Sequence, residues 1–480
     1  MRNNTWSRPL IWSLIFAFII NSTLLLLFPG AIRPDETFQY MEPAFRLVTG
    51  HDVMTWEWRS GIRSWLIPGT IAGILQLSSI LNLGYSVVLV KFVFATLSLG
   101  LVALFVWLGW LRNGLAGAWA CGISAAFWPD IAHASFRTLS ETIGGNALVC
   151  GALLGEITLD RHYLPVVRTR FFLIFSTGLL LGLSIAIRFQ FAPAAAMAGS
   201  LLAWRIRGKN IIPLALGFTI PIILLGIVDG MTLDYPYQSI VENFYENIIQ
   251  NIAKNKYGRS NPFFYILMLA SYWGAASIFI LYFFLKGFLK EKFLSFLAIW
   301  IIFYHSLIAH KEFSFIYPAI PLIIIVASVE LSRHFNSLSR RQFVFCLCAQ
   351  ATAMICVLSG TYVDRQSAAD AMIRMQILAN AQPDMCGLML VNNNGNWGRS
   401  GGYSRMTKAR PLYLQTEKTA SYLLKSQYNY VISEQDYPIF EPSAKEVKCT
   451  RSVCLYKIEN SCTGRPDYTE FSRALKDIGM

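Results

Sequence analysis

The sequence predicts a polytopic α-helical membrane protein that ends in a small soluble α/β domain. Hydrophobic residues make up 54% of the 480-residue chain and charged residues 14%, and the mean hydropathy is +0.44. Apolar runs of about 20 residues recur up to residue 361. Inside a bilayer, such a run can hydrogen-bond its backbone N–H and C=O groups only as a helix. From residue 362 the chain is polar, which predicts two domains, 1–361 and 362–480.

The apolar runs predict about eleven transmembrane helices. Lysine plus arginine (41) exceeds aspartate plus glutamate (28) by 13. In a soluble protein this positive excess would suggest nucleic-acid binding. Here the basic residues lie in loops between spans, which indicates that these loops are cytoplasmic and lie beside anionic membrane lipids. We therefore expect no nucleic-acid partner. The expected spans are 10–28, 86–108, 114–130, 139–158, 171–187, 189–204, 211–230, 263–285, 293–309, 316–332 and 342–361.

The basic loops also predict which segments face outward. With the N-terminus cytoplasmic, the loops 160–170, 205–209, 286–292 and 333–341 all fall on the cytoplasmic side. The same count sends four segments to the other side of the membrane. These are residues 29–85, 231–262, the HKEFSF turn at 310–315, and everything after residue 361.

The first outward segment, 29–85, opens with the acidic pair Asp35-Glu36 directly after the first apolar run. Placing carboxylates next to a membrane span costs free energy, so their presence there indicates a functional role. Pro34 predicts a helix start and Gly50 its end. We expect an amphipathic surface helix whose polar stripe turns away from lipid. That stripe consists of Asp35, Gln39, Glu42 and Arg46. The alternative is that the two acids only cap the helix, because its dipole favours anions there.

The run TWEWRSGIRS, residues 55–64, adds aromatic and ionisable groups to the same segment. Trp56 or Trp58 could stack on a sugar while Glu57 accepts hydrogen bonds from its hydroxyls. Arg59 and Arg63 could bind phosphate, for which a planar guanidinium is suited. Interfacial tryptophans and arginines also serve as membrane anchors, and that alternative stays open.

Further ionisable residues lie at the predicted outward ends of later spans. His310, Lys311 and Glu312 stand in succession in the HKEFSF turn, where cations could stabilise a leaving phosphate. Charges beside spans often mark a substrate path, although a solvated loop would also explain them. Arg137 in FRTLSET and Arg188 in AIRFQ either line that path or snorkel to the interface.

The polar C-terminal stretch carries short strand-like runs at 387–391, 430–433 and 453–458, with helix-like segments at 368–379 and 420–425. Its cysteines form an even set on the outward side, which favours disulfides over zinc because close C-x2-C pairs are missing. The loop GNWGRSGG, residues 395–402, matches neither the dinucleotide nor the Walker pattern, so we read it as a turn. The disulfide candidates are Cys386, Cys449, Cys454 and Cys462.

In their order, these segments resemble the family-22 GT-C mannosyltransferases. The matching blocks are PDETFQYMEPAFRLVTG with TWEWRSGIRS, then RTLSET, AIRFQFAP, the loop ending NKYG, and HKEFSFIYP, over residues 33 to 320. TWEW and GIRS look closest to the glycosylphosphatidylinositol mannosyltransferase III branch. That family usually continues HKE with an acid and an arginine, whereas this chain has Phe313 and Ser314, which leaves open a different acceptor or sugar.

The resemblance implies a GT-C fold and an inverting transfer of a mannosyl residue from a polyprenyl-phosphate donor to a lipid-linked or glycan acceptor. It places the catalytic acid at Asp35, with Glu36 beside it, and the reaction at the periplasmic or lumenal face of a bacterial inner membrane or the endoplasmic reticulum. Such a reaction requires neither a cofactor nor a metal a priori. The implied substrate-binding residues are Trp56, Glu57, Arg63, Arg137, Arg188, His310, Lys311 and Glu312.

Two other function classes remain open. A lipid flippase or transporter predicts charges in the middle of spans and pseudo-symmetric halves, whereas the acids here cluster at one membrane surface. A GT-C enzyme of the oligosaccharyltransferase or lipid A aminoarabinose transferase type would share the surface acid but use another donor or acceptor.

Overall fold

The computed structural model describes residues 6–31, 33–159, 167–361, 363–391, 395–406, 410–416, 427–434, 443–450, 453–459 and 462–480, without the side chains of 167–168 and 360–368. The chain divides into two compact units. The membrane unit comprises Met1–Leu24 and Phe92–Tyr362, and the second unit comprises Leu25–Lys91 and Val363–Met480. One boundary between the units lies at residues 362–363, and residues 25–91 group with the C-terminal part.

A helix lies over each of the eleven expected spans. Among the described residues, seven helices are long and apolar enough to cross a membrane, or eight if one bent pair is counted as a span. All the α-helices in this part of the chain, the short ones included, are Ser7–Leu27, Val87–Phe127, Pro129–Ala134, Ser140–Leu159, Val167–Ile187, Ala192–Ile206, Ile211–Thr232, Gln238–Phe244, Ile252–Tyr257, Phe264–Trp273, Ala276–Phe288, Lys292–Leu307, Ala319–Arg333 and Arg340–Thr361.

Two glycines with positive φ divide the longest apolar stretches. Val87–Phe127 is interrupted at Asn113 and at Gly114 (φ +57°), so it accounts for two expected spans. The expected span 263–285 is broken at Gly274 (φ +52°), where its two halves meet at 117°. A left-handed φ is a conformation that glycine adopts without the Cβ clash of other residues, so an apolar run can still turn there.

Close packing of small residues joins two of the long helices. A Cβ added at Gly178 or Gly182 of Val167–Ile187 would overlap a backbone carbonyl, that of Leu214 or Phe218, in the helix Ile211–Thr232. Such small-xxx-small spacing lets helix backbones approach each other in an apolar surround where the hydrophobic effect does not drive association.

An ionic network ties the ends of several helices in the membrane unit. Arg112 lies 2.8 Å from both Glu291 and Glu156, and Lys290 lies 2.8 Å from Glu330. Arg205 and Arg333 also join these carboxylates. Arg205, Lys290 and Arg333 come from or border three of the basic loops expected on one side of the membrane, so their meeting is consistent with that count.

The second unit contains a five-stranded mixed sheet. The strands are β1 (Leu388–Val391), β2 (Leu412–Gln415), β3 (Tyr430–Ser433), β4 (Lys445–Thr450) and β5 (Val453–Lys457). Their order is β2-β1-β3-β5-β4, with β1 parallel to β2 and β3, and β5 antiparallel to β3 and β4. The sheet agrees with the expected α/β domain, although β2 and the polar, exposed edge strand β4 were not anticipated.

Helices and disulfides complete this unit. The helices are Glu42–Thr49, Trp56–Arg59, Leu66–Ile80, Val363–Asn380 and Glu470–Asp477. Leu66–Ile80 is an apolar helix inside the segment 29–85, where we expected surface amphipathic helices. Disulfides join Cys386 to Cys462 and Cys449 to Cys454. The expected helix at 420–425 lies outside the described residues.

Candidate active site

The acidic pair begins a helix, as expected, but its geometry and surroundings differ from the expectation. Residues Glu36–Met41 form a π-helix that continues into the α-helix Glu42–Thr49, which ends at Gly50 with φ +80°. Every residue from Glu36 to Phe45 is buried. Gln39 and Glu42, two residues of the expected polar stripe, are therefore turned toward protein. Protein packs against both faces of this helix.

The two acids of the pair occupy different environments. Asp35 is half-buried at the N-cap position, and its side chain makes no capping hydrogen bond to the helix. Glu36 is only 1% exposed, and its carboxylate lies 3.0 Å from the Nζ of Lys91, which is itself buried. A buried carboxylate needs such a partner because desolvation of an unpaired charge costs several kcal/mol or more. Lys91 carried no sequence signal that linked it to this pair.

The TWEW segment lies against the same helix. Glu57 is buried, and its Oε1 accepts a hydrogen bond from the Nε2 of Gln39 at 3.2 Å. Trp58 is buried with its ring 4.6 Å from that of Trp65, whereas Trp56 is half-buried. Of the two tryptophans considered for sugar stacking, Trp56 therefore retains the more accessible ring.

The two arginines of TWEWRSGIRS differ in the same way. Arg59 is exposed and donates hydrogen bonds to the backbone carbonyls of Met54 and Met480. Arg63 is half-buried and lies beyond the short helix Trp56–Arg59. A guanidinium already bonded to carbonyl oxygens has fewer donors left for phosphate.

Glu42 is the most completely enclosed carboxyl group of this helix. It is 0% exposed, and it accepts hydrogen bonds from the backbone amides of Val53 (3.0 Å), Tyr403 (3.0 Å) and Ser404 (2.7 Å). Burial raises the pKa of Glu42 to about 8, against the lowering effect of the two amides of the 403–404 turn. Burial also raises the pKa of the neighbouring Asp52 to about 6, opposed by Arg46.

A second set of candidate residues lies in the membrane unit, around Arg188. Its Nη1 is 3.0 Å from Glu141 and donates to the hydroxyl of Ser140 at 2.9 Å. The hydroxyl of Ser140 donates in turn to Glu141 at 3.1 Å. The guanidinium also lies 5.1 Å from the ring centroid of Phe315, which brings Arg188 together with the HKEFSF turn.

Arg188 and Arg137 are both buried within protein. Arg188 is 7% exposed and Arg137 only 1%, with the Arg137 guanidinium bonded to His133 and stacked on Phe136 at 4.5 Å. Glu141 lies in the RTLSET block and was missed as a site residue. Its spacing from Arg188 in sequence gave no indication that the two would pair.

The three ionisable residues of the HKEFSF turn each have partners within or around that turn. His310 Nε2 lies 3.4 Å from Glu312, which also accepts a hydrogen bond from Ser314. Lys311 is 6% exposed and donates to the backbone carbonyls of Ser260 and Ile308. Burial lowers the pKa of Lys311, and the nearby cation Arg259 adds to that lowering.

The sequence over most of the chain matches one family. The model of the Alg9-like mannosyltransferase family aligns with residues 12–386. The chain belongs to the Alg9-like mannosyltransferase family. The resemblance inferred from PDETFQYMEP, TWEW and HKE is thereby confirmed, and the relatives below agree with the branch suggested by TWEW and GIRS.

Curated relatives of this Alg9-like chain carry mannosyltransferase names. It is 25% identical over 332 residues to mannosyltransferase APTG1 of Arabidopsis thaliana, covering 65% of this chain and 57% of that protein. It is 28% identical over 321 residues to GPI mannosyltransferase 3 of Drosophila melanogaster, covering 62% of this chain and 52% of that protein. The matched part thus spans little more than half the length of these relatives.

Solved structures resemble the Alg9-like chain over nearly its whole length. ArnT from Cupriavidus metallidurans, in a crystal structure with bound undecaprenyl phosphate, superposes with a TM-score of 0.58 at 12% identity over 97% of this chain and 100% of ArnT. The apo form of ArnT gives a TM-score of 0.56 at 13% identity over 95% of this chain and 99% of ArnT. This likeness confirms the expected GT-C fold. The family match and the apolar helices together identify the chain as a multi-pass membrane protein.

Proposed function

We propose that this protein transfers a mannosyl residue from a polyprenyl-phosphate-linked donor to a hydroxyl of a lipid-linked or glycan acceptor. Membership of the Alg9-like family and the names of the relatives support the sugar. The undecaprenyl phosphate bound to ArnT supports a polyprenyl-phosphate carrier. The observation that carries the chemistry is the half-buried Asp35, which follows the first span and heads a helix that tertiary contacts hold along its length.

In the proposed reaction Asp35 acts as the general base. It takes the proton of the acceptor hydroxyl, whose oxygen attacks the anomeric carbon as the bond from that carbon to the phosphate oxygen breaks. The products are the glycoside with inverted configuration and polyprenyl phosphate. We assign Glu36 a structural role instead, because Lys91 neutralises it in a buried pair.

The departing phosphate needs positive charge, and the candidates differ in how much charge they can offer. Arg188 is paired with Glu141, so the carboxylate offsets much of its charge and fixes its orientation. Lys311 is bonded to two neutral carbonyl oxygens, which do not offset a positive charge as a carboxylate would. We therefore propose Lys311 as the main phosphate partner, with His310, Arg63 and Arg188 in supporting roles. For the sugar we propose stacking on Trp56 and hydrogen bonds to Glu57 and Glu312, with Arg137 lining the path.

A donor panel tests this function directly. Purified protein in detergent is incubated with polyprenyl-phosphate mannose, polyprenyl-phosphate glucose and polyprenyl-phosphate aminoarabinose, each with candidate glycolipid acceptors. Mass spectrometry of the acceptor detects transfer, and NMR determines the anomeric configuration of the product. We expect transfer from the mannose donor alone, with an inverted configuration. Transfer only from another donor would favour the ArnT-like alternative. No transfer, combined with donor movement across proteoliposomes, would support a transporter and contradict the proposal.

A further inference from the structure

The loop 395–405, which we call the saddle loop, contains the GNWGRSGG run that the proposed reaction does not use. It forms two short 3-10 helices, Asn396–Arg399 and Gly402–Arg405. Its backbone amides at Tyr403 and Ser404 donate hydrogen bonds to the carboxyl group of Glu42, a side chain of the same unit. The run that superficially resembled a phosphate cradle therefore holds a side chain of the helix that Asp35 begins.

The saddle loop contacts that helix and the turn before it at three positions, each four residues after the last. Gly398 lies so close to Pro34 that an added Cβ would be 2.8 Å from the proline ring. The ring of Trp397 packs edge-on against Phe38 with 5.0 Å between centroids. Glu42 binds the amides of the loop. Positions four residues apart share one side of a helix, so the loop covers a continuous face from the turn before Asp35 to Glu42.

The loop is itself fixed from its other side. Gln376 of the helix Val363–Asn380 is 0% exposed and accepts a hydrogen bond from the amide of Gly401 at 2.9 Å. The same side chain donates to the carbonyl of Gly402 at 2.6 Å. A chain of hydrogen bonds thus runs from the C-terminal part of this unit, through the loop, to the helix headed by Asp35.

The segment between Asp35 and Glu42 is a π-helix, and the saddle loop packs along it. A π turn is rare and contains one residue more than the α turn it replaces. Relaxing it to α geometry would rotate the residues on its N-terminal side by about 100°, the angle of one α-helical residue. Asp35 is among those residues, so the contacts that keep the π turn also fix the direction of its carboxylate.

We infer that Glu42, held by the saddle loop, is a positioning residue that sets the orientation of Asp35 for proton removal. The inference rests on the proposed function, because it needs Asp35 to be the base. It gives the C-terminal part of this unit a role in catalysis without contact to substrate. Misplacing a reacting group by about 1 Å can cost about 100-fold in rate, so a small rotation suffices.

Three variants separate this role from general stability. Glu42→Gln replaces one acceptor oxygen with an NH₂ group, so at least one of the three amides loses its acceptor. Gly402→Ala leaves Glu42 intact, but its Cβ would overlap the Glu42 carboxyl group. Gly395→Ala is the matched control, because Gly395 also has positive φ (+79°) in the same loop but nothing lies within 4 Å of its added Cβ. The control carries the backbone strain without the contact.

The readouts are kcat, KM for the donor, and the thermal midpoint of each purified variant. We expect Glu42→Gln and Gly402→Ala to lower kcat about 10- to 100-fold with KM changed less than about two-fold, while Gly395→Ala stays near the parent. In an Asp35→Asn background, Glu42→Gln should reduce the residual turnover no further, since residues that act through one group are not additive.

Several results would overturn the inference. One is a kcat in both variants equal to that of the Gly395→Ala control. Another is loss of the folded state in both variants while the control stays folded, which would make Glu42 a stability residue only. A third is a full further loss when Glu42→Gln is added to Asp35→Asn. Failure of the parent protein to transfer any sugar would instead refute the proposed function, so the two failures are distinguishable.

Discussion

At the scale of single residues, three acids within eight positions have three different environments. Asp35 is half-buried at the helix start, Glu36 is paired with Lys91, and Glu42 is enclosed by backbone amides. The sequence predicted that this cluster is functional but could not tell the acids apart. Their partners lie between 11 and about 360 positions away, a range over which helical periodicity carries no information.

Glu42 should make the stability of the second unit depend on pH. Its pKa is about 8 in the folded protein and near 4.5 when unfolded, so the stabilisation of the neutral form is complete below pH 4.5 and is lost as the pH rises to 8. Between pH 6 and 8.5 the parent should lose on the order of 2 kcal/mol relative to Glu42→Gln, which does not titrate. Asp52 titrates near 6 with the same sign, so it contributes mainly below this window.

Thermal unfolding at pH 6 and pH 8.5 measures this effect. The midpoint of the parent minus that of Glu42→Gln should shrink as the pH rises, because both proteins share every other titrating group. An unchanged or growing difference would contradict the raised pKa.

At the scale of elements, the sequence was a good guide to which apolar runs form helices. Gly50 ends its helix with a left-handed φ, and all eleven expected spans are helical. It was a poor guide to what surrounds them. The helix after Asp35 has the polar stripe of a surface helix, yet Gln39 and Glu42 bond to Glu57 and to backbone amides inside the protein. Periodicity identifies a polar face but not whether water or protein satisfies it.

The contact between helices Val167–Ile187 and Ile211–Thr232 should depend on its glycines. Gly182→Ala places a methyl group into the backbone of Phe218, so we expect it to destabilise the membrane unit by about 1–3 kcal/mol. Gly100→Ala is the control, because it is also within a helix but nothing lies within 4 Å of its added Cβ. Unfolding in detergent, followed by a thermal shift, compares them. Equal midpoints for the two variants would contradict the packing.

At the scale of the whole molecule, hydropathy predicted the membrane spans, and short strand-like runs predicted the C-terminal sheet. They did not predict that residues 25–91 group with residues 363–480. Hydrogen bonds from Gly30 to Asp370, from Arg405 to Pro29 and from Tyr403 to Glu42 link these distant segments. Such pairings follow from tertiary packing of polar loops, which leaves no periodic signal in either segment.

The most direct test of the account is the turnover of Asp35→Asn. Transfer from polyprenyl-phosphate mannose is measured at saturating donor and acceptor, with thermal midpoints to establish that each variant is folded. Loss of a general base should lower kcat about 10²- to 10⁴-fold at an unchanged midpoint. Asp234→Asn, which alters an exposed acid in another segment expected to face outward, should keep the parental rate. A folded Asp35→Asn variant that transfers mannose as fast as the parent would contradict the account.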